Sequence, residues 1–203
     1  MMEKLQLINR IKSILNDSNC KLEKDSDGSI LLYQGVYPED CISLIHEPQN
    51  DRYIIYEIHR DRKKVIAEVK DAEAAIYTVI AYKSKYDDPT NNRNVIRIRD
   101  YMELGEEKKA WAIIEECFEE SLYSIGHEEH LKVSLIKEED KVSVKFEGEY
   151  LVQDVAINRG YIVLYNYCEK LHFISLFYNE LQRKINCDIS FEKISKFYIL
   201  GHL

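Results

Sequence analysis

The sequence of 203 residues contains none of the short motifs that usually mark a catalytic or cofactor site. It has only seven glycines, and no P-loop, GxGxxG or GxSxG pattern occurs. These absences argue against a phosphate-binding loop and against the nucleophile turn of a hydrolase. We therefore expect a protein without catalytic activity and without a cofactor.

Paired cysteines and long apolar runs are also missing. The five cysteines form no CxxC pair, and their odd number leaves one over in any disulfide scheme, so we expect free thiols. No window approaches the roughly 18 apolar residues of a membrane-spanning helix, and the N-terminal residues lack a basic-then-apolar signal. The sequence therefore predicts a cytoplasmic protein with no membrane partner.

Basic residues are fewer than acidic residues. Lys and Arg number 28 against 36 Asp and Glu, which gives a formal net charge of -8. This balance opposes general attraction to nucleic-acid phosphates and favours a basic protein partner. The 15 tyrosines suit half-buried sheet faces and also protein contact surfaces, because the ring packs while the hydroxyl stays hydrated.

Apolar residues alternate along the first half of the chain and predict β-strands. The alternation from Tyr53 to Ile58 resumes from Val65 to Val69 after the basic turn 59–64, which indicates a β-hairpin. Asp71 stands where a helix N-cap belongs, and apolar residues then recur every three or four positions. A helix at 3–16 and strands at 20–23, 30–33 and 41–45 are predicted before the hairpin.

The polar stretch 87–94 predicts a boundary between two halves. Residues 95–102 fit either a short strand or a helix, and we favour the helix. Residues 106–125 predict a long helix that Gly126 closes. Alternating segments then predict five strands, followed by two helices (131–135, 142–146, 151–157, 161–167 and 171–177; then 179–185 and 190–198).

The two halves can be aligned as an internal duplication. Without a gap, Leu31 aligns with Val144 and Tyr33 with Phe146; after a shorter loop, Tyr53 aligns with Tyr161. The prediction is an α+β fold of two diverged repeats, each an antiparallel β-meander packed against flanking helices. We assign residues 1–88 to the first repeat, 89–104 to a linker and 105–203 to the second repeat.

Carboxylates on the predicted helix 106–125 form the candidate site for a protein partner. The predicted helix has an acidic face opposite its apolar stripe, formed by Glu115, Glu116, Glu119 and Glu120. These carboxylates could also hold a cation, but a solvated face or a patch for a basic partner is the simpler interpretation. His127 and His130 resemble metal ligands in spacing, yet the HExxH pattern is absent, so we expect no metal site.

The segment from Arg52 to Tyr82 resembles a pattern in small bacterial immunity proteins of polymorphic toxin systems. It combines a tyrosine-bearing strand, a charged turn, a second strand and the helix start Asp71-Ala-Glu-Ala-Ala. A fainter echo at 161–186 has Tyr178-Asn-Glu in place of that helix start. The resemblance implies a cytoplasmic protein that binds a cognate toxin without catalysis, and it assigns no functional residue to this chain.

The leading hypothesis is an immunity protein that binds a basic toxin domain, with its oligomeric state left open. One alternative is an enzyme or small-ligand domain that uses a cleft between the repeats, with His46, His59 or His172 as titratable groups. Another alternative is a regulatory or phage adaptor that shuts off a host protein. It would bind its target through the same kinds of interaction as the immunity protein and differ only in its partner.

Overall fold

Five antiparallel strands in sequence order form a meander, here called sheet A. The computed structural model describes residues 4–15, 20–34, 38–60, 62–86, 93–185 and 187–202. The predicted hairpin is confirmed, with Tyr53 opposite Val69 and Ile55 opposite Ala67, and a bulge follows between Ile55 and Tyr56. The strands of sheet A are β1 (Lys21–Lys24), β2 (Ile30–Tyr33), β3 (Asp40–Glu47), β4 (Arg52–His59) and β5 (Arg62–Val69).

One face of sheet A is covered by helix α2 (Ala72–Tyr86), which packs against β3, β4 and β5. Asp71 caps this helix as predicted, since its Oδ1 accepts the Ala74 N–H at 2.7 Å. Helices α1 (Lys4–Ile14) and α6 (Phe191–Leu200) pack against α2. The core between these elements is apolar. Apolar side chains at every second position of a strand, and at every third or fourth position of a helix, point to the same face and meet there. It contains Leu32, Ile42, Leu44, Ile55, Val69, Ile76, Val79, Ile194 and Phe197.

The second sheet, sheet B, departs from the predicted meander. It has four strands in the order β6-β7-β8-β9, and β6 runs parallel to β7. Only the last three strands form an antiparallel meander. Helices α3 and α4 precede them, which confirms the helix at 95–102. The bounds are α3 (Arg93–Glu103), α4 (Glu107–Cys117), β6 (Tyr123–Ile125), β7 (Val133–Glu138), β8 (Lys141–Phe146) and β9 (Glu149–Ala156).

The predicted strands at 161–167 and 171–177 are wrong, because both lie within the long helix α5 (Ile157–Ile185). Tyrosine, isoleucine and valine favour strands, but the spacing of the buried residues is helical. Positions three or four apart turn inward together, and that periodicity decides the structure over local propensity. The buried positions are Tyr161, Leu164, Tyr165, Cys168, Leu171, Ile174 and Leu181.

The proposed duplication matches only the order of the strands in its first hairpin, because Lys21 pairs with Tyr33 whereas the aligned Ser134 pairs with Lys145 and not with Phe146. Leu31 and Tyr33 lie in β2, and their counterparts Val144 and Phe146 lie in β8; all four are buried. Beyond the third strand the halves differ, since Tyr53 lies in a strand and Tyr161 in a helix. For the same reason, the fainter copy of the immunity-protein pattern at 161–186 lacks the two strands that this pattern requires.

The chain divides into two compact units. Unit 1 comprises residues 1–89 and 177–203, and unit 2 comprises residues 90–176. This division places the C-terminal residues with sheet A, whereas the sequence predicts them in a second repeat at 105–203. The predicted linker 89–104 contains α3, and its first part, like the rest of the boundary 87–92, lies outside the described residues.

All five cysteines are free thiols, as expected. Cys41, Cys168 and Cys187 are buried, and burial raises the pKa of each thiol, so they are less reactive than exposed cysteines. Among the described helices, none has a stretch that is both long and apolar enough to cross a bilayer.

Candidate functional site

The four glutamates singled out in the sequence lie where a helix ends. Glu115 and Glu116 belong to the last turn of α4, whereas Glu119 follows it and Glu120 begins a 3-10 turn, Glu120–Leu122. All four side chains are exposed. The prediction that they share one face of a helix extending to residue 125 is therefore wrong. We call these four residues the acidic segment.

The helix stops early because Phe118 leaves the helical conformation. Its backbone is extended, with φ -136 and ψ 145, and its N–H still bonds to the Ile114 carbonyl at 2.9 Å. Leu122 is then buried, and Tyr123–Ile125 pair with Val133 to Leu135 of β7. Pairing with β7 satisfies the backbone N–H and C=O groups of these residues in place of helical hydrogen bonds. Gly126, predicted to close the helix, follows the strand β6 instead.

The charges of two residues of the acidic segment act on Tyr123. Burial raises the pKa of its hydroxyl, and the carboxylates of Glu115 and Glu120 raise it further. Both carboxylates therefore act on the same phenol ring. Trp111 packs edge-on against Tyr123, with ring centroids 5.2 Å apart, and it is half-buried. The acidic segment thus lies beside an aromatic pair.

No side chain in the described part of the chain neutralises the acidic segment. Among the described residues, the four carboxylates form one side-chain hydrogen bond, from the Ser121 hydroxyl to Glu119 at 3.3 Å, and no ion pair with Lys, Arg or His. Other glutamates of the protein do have cationic partners. Glu47 pairs with Arg52 at 2.9 Å, and Glu129 pairs with Lys132 at 2.8 Å.

The position of Glu115 and Glu116 is also electrostatically unfavourable for α4 itself. The C-terminal end of a helix carries partial negative charge, which cations stabilise and carboxylates destabilise. The last turn of α4 contains no basic residue. Repulsion among the four carboxylates adds to this cost. A cationic partner bound to the acidic segment would offset both the unfavourable interaction of the carboxylates with the helix end and their repulsion of one another.

The two histidines with metal-like spacing contact separate carboxylates. His130 Nδ1 lies 2.9 Å from Glu147, and His127 Nε2 lies 3.3 Å from Glu129. Glu147 also accepts the Leu131 N–H at 2.6 Å, so it holds the loop before β7 in place. The described residues contain no group of three or more His, Cys, Asp or Glu side chains arranged to hold a metal ion.

The histidines of the cleft hypothesis occupy unrelated positions. His46 stacks on Tyr53 with ring centroids 4.5 Å apart, and its buried Nε2 has no partner among the described residues. His59 Nδ1 contacts Asp40 at 2.5 Å on the exposed end of sheet A. His172, on α5 in unit 2, lies 6.3 Å from Phe118 between ring centroids. His46 and His59 belong to unit 1, so these three residues form no common cluster within a unit.

Sequence patterns did not reveal a polar cluster that links three elements of unit 2. Glu107 of α4 accepts a hydrogen bond from the Tyr161 hydroxyl of α5 at 2.5 Å and also binds Lys137 of β7. The bond from Lys137, and then that from Tyr161, lowers the pKa of the Glu107 carboxyl. These residues are 30 and 54 positions from Glu107 in the sequence, so no local spacing could indicate the contact.

Searches of protein-family models, curated proteins and solved structures find no match to this chain.

Proposed function

We propose that the protein is an immunity protein, which neutralises a cognate bacterial toxin by binding it and has no catalytic activity of its own. In this proposal it acts in the cytoplasm, and the toxin domain it binds is basic. The observation that supports the proposal most directly is the acidic segment, whose four exposed carboxylates have no cationic partner among the described residues. The resemblance of residues 52–82 to immunity proteins supports the same function.

The acidic segment has the properties of a surface that steers a charged partner. Complementary charge raises the rate of association, and buried aromatic residues supply much of the affinity. Trp111 is half-buried beside Tyr123, so a partner that covers it gains apolar area while its cations meet the carboxylates. The net charge of -8 adds long-range attraction toward a basic toxin.

The first experiment is to express the chain together with the product of the adjacent gene. If that product is toxic, we expect the chain to restore growth and to co-purify with it. The effect should require binding alone, so the toxin recovered from the complex should be unmodified in mass. A toxin that is cleaved or chemically altered by the chain would contradict a purely stoichiometric inhibitor.

The second experiment tests the surface by charge reversal. Glu116→Lys combined with Glu119→Lys should slow association with the toxin by about tenfold or more and flatten its salt dependence. The matched control is Glu103→Lys combined with Glu138→Lys, which changes the net charge equally at two exposed positions outside the segment. An equal loss in both double variants would mean that only overall charge matters. Unchanged binding by the first would reject this surface while leaving the function open.

A further inference from the structure

The outer edge of β5, in unit 1, belongs neither to the apolar core nor to the acidic segment. β5 is the last strand of sheet A, so one side of its backbone faces away from β4. An exposed strand edge presents unpaired N–H and C=O groups that can bind a further strand. Proteins usually cover such an edge or make it unattractive to other chains.

The C-terminal part of this edge is covered by residues of unit 1. The Glu68 N–H donates to the Gly201 carbonyl at 2.7 Å, and the Tyr82 hydroxyl lies 3.3 Å from the Ile66 carbonyl. Gly201 closes α6 with φ +81, and a Cβ at this position would lie 2.8 Å from the Ile66 oxygen. The contact between Gly201 and β5 is therefore too close for any other residue.

An open groove of about 410 Å³ runs beside the covered part. Its walls are residues 65–68 of β5 and residues 200–202 at the C-terminal end of α6. In the N-terminal half of β5, Arg62–Val65 are all exposed. Among the described residues, no backbone group outside β4 binds this half of the strand. The side chain of Val65 is 46% exposed, which is high for an apolar residue in a sheet.

The charge along the open half is strongly positive. Arg62, Lys63 and Lys64 are consecutive, and Arg60 precedes them with one acid, Asp61, between. Lys63 is 4.0 Å from Asp27 and lies over the Tyr56 ring at 4.1 Å from its centroid. Arg62 and Lys64 form no ion pair with any described residue. Because successive side chains of a strand point to opposite faces, Lys63 and Val65 share one face, and Arg62 and Lys64 the other.

We propose that the open edge of β5 binds an extended, acidic segment of a partner protein as a sixth strand of sheet A. The partner backbone pairs with the free edge, one of its apolar side chains covers Val65, and its carboxylates meet Arg62 and Lys64. This mode of recognition takes affinity from main-chain hydrogen bonds and selectivity from alternate side chains. The surface is separate from the acidic segment and selects the opposite charge.

A second copy of the chain is a poor occupant of this edge. Antiparallel pairing of two β5 strands would place two basic runs within the reach of cross-strand neighbours, where like charges are destabilising. Lysines on an edge strand also discourage indiscriminate pairing. An acidic partner reverses that effect, since the same lysines then attract it.

The test uses the full chain and a fluorescein-labelled peptide of alternating glutamate and valine residues. Fluorescence anisotropy should show saturable binding, and a lysine-valine peptide of the same length should not bind. Arg62→Glu combined with Lys64→Glu should weaken binding by about tenfold or more. The control is Lys108→Glu combined with Lys141→Glu, which alters the net charge equally at exposed positions of unit 2 and should change binding less than about twofold.

Hydrogen exchange distinguishes strand addition from simple charge attraction. The peptide should slow exchange of amides in residues 62–66 and leave those of sheet B unchanged. Binding without this protection, equal losses in the two double variants, or no binding at all would each overturn the proposal. A dimer in sedimentation that Arg62→Glu with Lys64→Glu dissociates would overturn it too, because a second copy would then occupy the edge. Glu116→Lys with Glu119→Lys should not affect peptide binding, so this proposal and the toxin proposal fail independently.

Discussion

Gly160 is a residue that the packing of unit 2 requires. It lies in the first turn of α5 and is buried against sheet B. A Cβ at this position would lie 2.0 Å from Val142 Cγ2 of β8 and 3.6 Å from Leu135 Cδ1 of β7. Carbon atoms in contact are normally separated by about 3.5–4.0 Å. The helix can approach the sheet this closely only because residue 160 has no side chain.

Gly160→Ala should therefore destabilise unit 2. Alanine favours a helix over glycine by about 1 kcal/mol, but overpacking a core typically costs about 1–3 kcal/mol, and this contact is severe. We expect a net loss of about 1–2 kcal/mol in the free energy of unfolding, measured by urea denaturation. In a Val142→Ala background, which removes the clashing methyl, the same change should be neutral or stabilising. Equal losses in both backgrounds would contradict the steric explanation.

Individual residues differ in how well the sequence predicts them. The sequence predicts Asp71 as an N-cap because capping depends on the few residues that follow it, and the structure confirms the capping bond to the Ala74 N–H. The positions of Glu119 and Glu120 were not predicted correctly. Their placement depends on pairing between β6 and β7, which involves residues about ten positions away and leaves no local signal.

At the scale of elements, the short strands of sheet A were predictable from the sequence and the longest helix was not. In sheet A, β2 and β3 contain short apolar runs bounded by turn residues, and the end of β5 alternates in burial, so these strands follow from the sequence. In α5 the half-buried tyrosines and isoleucines between the core positions imitate strand alternation over short windows. Reading the pattern over the whole of 157–185 reveals the helical period that windows of seven residues hide.

The link between α4, β7 and α5 through Glu107 predicts a pH effect. Lys137 and Tyr161 stabilise the carboxylate, so the pKa of Glu107 in the folded protein lies below its ordinary value of 4.5. A lowered pKa means that the stabilisation is present above about pH 4.5 and is lost as the pH falls through the folded pKa. Because the side chain of Glu107 is 41% exposed, we expect water to limit the effect to about 1 kcal/mol.

Glu107→Gln measures this contribution. At pH 7 the variant should unfold at a lower urea concentration than the original protein, and the difference should shrink as the pH is lowered below about 4.5. Glu106→Gln is the matched control, because its ion pair with Lys109 is a local contact along one helix. A difference that stays constant down to the lowest accessible pH would show that Glu107 stabilises unit 2 without its charge.

At the scale of the whole molecule, the chain has two cores with different architectures. Unit 1 combines a five-stranded meander with α1, α2 and α6, and unit 2 combines a four-stranded sheet with α3, α4 and most of α5. The α+β class was predictable because strand and helix patterns both occur in each half. The assignment of residues 177–203 to unit 1 was not, because it depends on long-range contacts such as the bond from Tyr82 to the Tyr198 carbonyl at 2.9 Å.

Two substitutions test whether the units are separate in stability. Phe197 of α6 and Phe146 of β8 are both buried, and replacing either with alanine should cost about 3–5 kcal/mol. Hydrogen exchange should accelerate mainly in sheet A for Phe197→Ala and mainly in sheet B for Phe146→Ala. The two variants serve as controls for each other. Uniform acceleration in either variant would show that the chain unfolds as one cooperative unit.

The contact between Gly201 and β5 has a practical consequence for how the protein is handled. Glu68 is bonded to Gly201, and His202 forms part of the adjoining groove wall. An affinity tag at the C-terminal side of His202 would follow a residue of the groove wall, so we expect it to compete with an incoming strand. Pull-downs intended to find partners at this edge should therefore place the tag at the other end of the chain, or remove it before the lysate is added.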